Sequence, residues 1–132
     1  MRTALLIFFL SLSFIVSAQN SEIPKPDSLG VYDYKDVKEK PTSAYNISDY
    51  LAKNLHYPVG ARDSNKQGRV LIKFRVDKEG YVRDAFVLVG FNVACNAEAL
   101  RVVREMPRWK PAKINNEFVD VYFTMPISFK LE

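Results

Sequence analysis

The sequence predicts an α+β fold: a three-stranded antiparallel sheet with two helices packed on one face, in the order helix, strand, strand, helix, strand. Three observations predict it. Two short segments repeat apolar residues at helical spacing. Two alternating segments are joined by a glycine-ended turn. A last, long segment alternates apolar and polar residues almost to the C-terminus. A hairpin whose third strand returns through a helix gives an antiparallel sheet with its helices on one side and its charged face in solvent.

Ser43 to His56 carries the first helical pattern, with Ile47, Leu51 and Leu55 at i, i+4 and i+8 and Tyr50 on the same face. Asn46 or Ser48 suits the N-cap, and Asp49 suits the first turn. Pro58 ends the segment, because a residue preceding proline avoids the helical region. Gly68 to Val76 is a strand with Val70, Ile72, Phe74 and Val76 on one face and Arg69, Lys73 and Arg75 on the other, Leu71 being the exception. Asp77-Lys78-Glu79-Gly80 is the hairpin turn. Tyr81 to Val89 returns, and its alternation changes phase between Val82 and Ala85, which predicts a β-bulge near Arg83-Asp84.

Asn96 to Met106 is the second helix, capped by Asn96, with Ala99, Leu100, Val103 and Met106 as its stripe and Pro107 as its stop. Phe118 to Leu131 is the last strand. Val119, Val121, Phe123, Met125, Ile127, Phe129 and Leu131 share one face, and Asp120, Tyr122, Thr124, Ser128 and Lys130 the other. Pro126 removes a donor from it, which assigns the strand to an edge or a bulge.

Before these elements lie two segments of different character. Met1 to Ala18 reads as a secretory signal, residues 1–18: Arg2 is the positive n-region, Ala4 to Val16 the apolar run, and Val16-Ser17-Ala18 a small-residue cleavage site. The run is shorter than the ~20 residues a membrane span needs, and no cysteine follows it to carry a lipid. Cleavage removes one cation and no acid, taking the formal charge from +4 to +3. Gln19 to Thr42, with Pro24, Pro26 and Pro41, reads as a flexible polar linker without a firm element. Residues 43–132 are then the folded domain. With 48% hydrophobic and 13% aromatic residues, the 132-residue chain can bury a core of its own.

Composition also excludes functions. The mild positive charge alternates with acids along the chain and does not cluster, so no nucleic-acid footprint is expected. One cysteine, Cys95, cannot form an internal disulfide, and one Cys with one His, His56, makes no metal cluster. His56 lacks a nucleophile and an orienting partner, so no catalytic residue and no cofactor are assigned. Asp77, Glu79 and Asp84 read as a solvated turn. Trp109 reads as a core-sealing residue after the second helix, Tyr57-Pro58 as a helix stop, and Cys95 as a small, partly buried residue rather than a thiol activated by a helix N-terminus.

Several of these residues stand in a familiar order. Tyr57-Pro58, Ala61, Gly68, Val70, Phe74, Val76, Gly80 and Val82 are followed by Glu98-Ala99, Met106-Pro107-Arg108-Trp109-Lys110-Pro111 and Pro126-Ile127-Ser128-Phe129. Together, over about Ile47 to Leu131, they resemble the TonB C-terminal domain in its Bacteroidetes-type form, here short and exported. The resemblance implies a periplasmic protein-binding module, not an enzyme. Such a module grips an extended segment, the TonB box of an outer-membrane TonB-dependent transporter, or another periplasmic protein, by strand addition at its last strand. It places the contacts on Phe118, Asp120, Tyr122, Thr124, Pro126 and Ser128, and it allows a homodimer through the same edge. From the residues alone that strand is a plain protected edge; the partner comes from the resemblance. The cleavable N-terminal run and short linker depart from a full energy transducer, which leaves an inner-membrane-anchored transducer as the first alternative. An exported enzyme or small-ligand binder on the same scaffold is the second.

Overall fold

The computed structural model describes residues 24–131. The expected secretory signal, residues 1–18, lies outside the described residues. In chain order the elements are β1 (Tyr32–Asp33), a 3-10 turn (Tyr34–Asp36), β2 (Thr42–Ser43), α1 (Ile47–Asn54), α2 (Val59–Asp63), β3 (Gly68–Val76), β4 (Val82–Val89), α3 (Val93–Arg104), β5 (Trp109–Lys110), β6 (Ala112–Ile114), β7 (Glu117–Val119) and β8 (Val121–Phe129).

The α+β class holds. The three expected strands are the antiparallel set β8-β3-β4, with β8 aligned to β3 without a break from Gly68↔Phe129 to Val76↔Val121. Alternation puts Val70, Ile72, Phe74 and Val76 inward against Met125, Ile127 and Phe129, and Ala99, Val102 and Val103 of α3 complete that core. Asp77 shapes the hairpin turn by accepting the amides of Glu79 and Tyr81, both at 2.9 Å. At Gly80 a side chain is excluded twice: φ is +92°, and a Cβ would lie 1.9 Å from the Trp109 carbonyl oxygen. The predicted bulge is present. The pairing slips between Lys73↔Phe86 and Arg75↔Arg83, and Asp84 takes a left-handed φ of 55°.

Other expectations are corrected. The sheet has four strands, not three, because β1 adds in parallel to the outer side of β8. The segment expected to be element-free therefore docks: Val31 is 4% and Val37 2% exposed, and Val37 forms a second small core with Ala112 and Val121. The last strand is not continuous from Phe118. Asp120 interrupts it, since its carboxylate takes both the Arg75 guanidinium and the Lys78 amide, and β7 turns away to pair with β6. The last helix starts earlier, at Val93, because Asn92 rather than Asn96 accepts the capping bond, from the Cys95 amide. The side chain of Asn96 accepts instead from the Phe91 amide. α1 is confined to Ile47–Asn54 with Asn46 as its cap, and α2 is a third helix that the sequence reading lacked.

Candidate functional site

The open side of β8 is the candidate site, and backbone alternation defines its chemistry. In a strand, successive residues direct their N–H and C=O to opposite neighbours. The Tyr32 amide donates to the Asp120 carbonyl at 2.9 Å, so even-numbered residues here face away from β3. Val121, Phe123, Met125, Ile127 and Phe129 therefore bond β3, and Thr124, Pro126 and Ser128 face outward. This explains Pro126. Its missing N–H falls on the outer edge, so the β3–β8 ladder loses nothing. The edge then offers the carbonyls of Thr124, Pro126 and Ser128 and the amides of Thr124 and Ser128.

One end of this edge is already occupied. β1 sits opposite Val121 and Tyr122, and the Tyr34 ring packs on Phe123 with centroids 4.8 Å apart. The Lys40 amine fastens the lead by donating to the Tyr34 and Val37 carbonyls at 2.6 and 2.8 Å. Asp27 accepts the Val31 and Leu29 amides, and these bonds, with the nearby Tyr122 hydroxyl and Lys73, hold its carboxyl below the usual range.

Of the six residues expected at the edge, the structure brings three together there: Thr124, Pro126 and Ser128, all exposed. Tyr122 lies under β1, its ring facing the Lys73 amine at 4.8 Å. Asp120 is committed to Arg75 and Lys78. Phe118 is on β7, 52% exposed, with the Lys113 amine 4.7 Å above its ring, away from the edge.

Beside the free part of the edge, on the helix side of the sheet, lies a groove of about 440 Å³ between α1 and β8, lined by Ser48, Leu51, Leu55, Tyr57, Phe129 and Lys130 among others. Leu51 of α1 and Leu55, its C-cap, line the groove with the exposed small residues Ser48 and Ala52, which leave the room. Tyr57 stands edge-on to Phe129 at 5.5 Å, and its hydroxyl donates to the Lys66 carbonyl. Sequence reasoning assigned Leu51, Leu55 and Tyr57 to packing only. The usable signal was the pair of small side chains on an apolar helical face.

The opposite edge is blunted. β4 carries two register shifts, and Arg104 from α3 donates to the Ala85 carbonyl at 3.4 Å. Bulges and inward-reaching charges are devices that stop a sheet edge from pairing.

The remaining sequence candidates are structural. Trp109 is 5% exposed and packs on Phe74 and Phe123 at 5.8 and 5.9 Å; among the described residues its indole N–H finds no acceptor. Cys95 is fully buried in the first turn of α3, and burial pushes its thiol pKa up, opposite to activation. The His56 amide binds Glu98, which with Arg101 ties the end of α1 to α3. Among the described residues no three His, Cys, Asp or Glu side chains converge as metal ligands, and no helix is long and apolar enough to cross a membrane.

Residues 53–131 match the family described as the Gram-negative bacterial TonB protein C-terminal. Two NMR solution structures of the Helicobacter pylori TonB C-terminal domain resemble the fold. The one of residues 179–285 has a TM-score of 0.50 at 22% identity, over 65% of this chain and 78% of its own. The one of residues 194–285 has a TM-score of 0.48 at 22% identity, over 64% of this chain and 88% of its own. At such identities the first likeness is one of fold. No curated protein sequence matches the chain.

Proposed function

Because the chain belongs to the family of Gram-negative bacterial TonB protein C-terminal domains, we propose that it is a non-catalytic periplasmic module that binds an extended segment of another protein by strand addition along Thr124–Ser128. The segment belongs to an outer-membrane TonB-dependent transporter or to another periplasmic protein. One observation carries this reading: the same edge already accepts a strand, β1, from the chain's own lead. Strand addition satisfies edge amides and carbonyls with a partner's backbone and leaves specificity to side-chain pockets. The bulged and capped β4 edge supports β8 as the receiving side.

The energetics suit transient coupling. Five outward groups at ~0.5–1.5 kcal/mol each give only a few kcal/mol net after the cost of association. Affinity in the millimolar range or weaker is expected unless side chains add to it, since each factor of ten needs about 1.4 kcal/mol. Thr124→Pro tests the proposal, because it deletes an outward amide without touching the β3 ladder. The variant should fold and should bind partners captured from the periplasm about twofold to tenfold more weakly than wild type. Full affinity in a folded Thr124→Pro variant would mean that another surface binds.

A further inference from the structure

We propose that the segment taken by this edge carries one bulky apolar side chain, of leucine or phenylalanine size, which seats in the groove between α1 and β8, and that this groove selects among segments. The inference rests on the strand-addition reading and names the chemistry of its partner.

A strand laid along Thr124–Ser128 directs alternate side chains to the two faces of the sheet. On the helix face those side chains meet the groove walls, Leu51 of α1 and Leu55 at its C-cap, Tyr57, and Phe129 at the end of β8. The chain's own lead shows what this side of the edge holds. Where β1 has added, Tyr34 fills the equivalent place with an aromatic ring on Phe123, and Val37 is buried just beyond. The groove is the continuation of that interface along β8, past the point where the lead turns away. Among the described residues, the one charged residue lining it is Lys130, a cation, so a lysine or arginine side chain is disfavoured.

The test begins by panning a displayed library of random seven-residue peptides on the purified native protein and synthesising the enriched ones. Enriched peptides should share a leucine, isoleucine, methionine or phenylalanine at one position and should shift the Thr124 and Ser128 amide resonances. Replacing that residue with serine should weaken binding on the order of tenfold, and with lysine more. Ala52→Phe, a change at an exposed helix position that plugs the groove from above, should weaken the apolar peptides to the level of their serine forms. Leu51→Ser should do the same, and Ala52→Phe keeps the test decisive if Leu51→Ser fails to fold. Peptides that shift the edge amides without an apolar preference, or that ignore Ala52→Phe, overturn the groove while leaving strand addition standing. Failure of every peptide to shift those amides overturns both. A concentration-dependent dimer that dissociates as peptide binds assigns the groove to a second copy and likewise overturns the proposal.

Discussion

At the residue scale, Asp77 does more than populate a polar turn. Its carboxylate accepts the Glu79 and Tyr81 amides at 2.9 Å and the Arg83 Nε at 3.1 Å. Burial alone would raise its pKa, but the Tyr81 amide, Arg83 and the Glu79 amide outweigh it, and the folded value lies below the ordinary one. A carboxyl depressed on folding contributes stability that is complete above its unfolded pKa of about 3.9 and is lost as pH falls through the folded value. Asp77→Asn should therefore cost ~1–2 kcal/mol at pH 7, where two backbone amides lose a charged acceptor. The gap to wild type should shrink below about pH 4. Thermal unfolding of both proteins at pH 7 and pH 3 checks this; an equal gap at the two values would contradict the assignment. That residue type and spacing made Asp77 legible as a turn former, while its role as an anchor for Arg83 depends on a bulge geometry that spacing does not encode.

At the element scale, legibility followed the length and regularity of each pattern. β3, the hairpin and its bulge were readable because nine alternating residues and one phase change leave little freedom. The start of α3 was misread because Asn92 and Asn96 are both competent caps, and only the neighbouring Phe91 amide decides which one is used elsewhere. The alternation of the last strand runs through Asp120 without interruption, so the change of partner from β6 to β3 is invisible in sequence; it arises from Arg75 and Lys78 gripping that carboxylate. β1 has two residues and no period to read. The edge assignment of Pro126 was legible, and it has a matched consequence. Thr124→Pro, on the outward set, should lower stability by no more than ~1–2 kcal/mol, whereas Met125→Pro breaks a β3–β8 ladder bond and should cost ~3 kcal/mol or more. Denaturant unfolding of the pair measures it, and similar losses would contradict the outward phase of the even residues.

At the scale of the whole molecule, one side of the sheet is closed by bulges and Arg104 and the other is half covered by the chain's own lead, leaving a short, regular opening with a groove beside it. This asymmetry was not readable from sequence, because it depends on where the lead docks and on how α1 sits against β8. On the proposed export of the chain, the native protein begins at Gln19, as the Val16-Ser17-Ala18 pattern implies. N-terminal sequencing of protein from the periplasmic fraction should read Gln19 first, and an intact Met1 in the membrane fraction would favour an anchored transducer instead. The central claim is that partners pair with the β8 backbone. The most direct measurement is amide hydrogen exchange, residue by residue, on the native protein with and without a synthetic peptide spanning the extended periplasmic segment of a TonB-dependent transporter from the same cell. The account predicts new protection at Thr124 and Ser128, with β4 unchanged. Binding that leaves both amides exchanging at their free rates would contradict it.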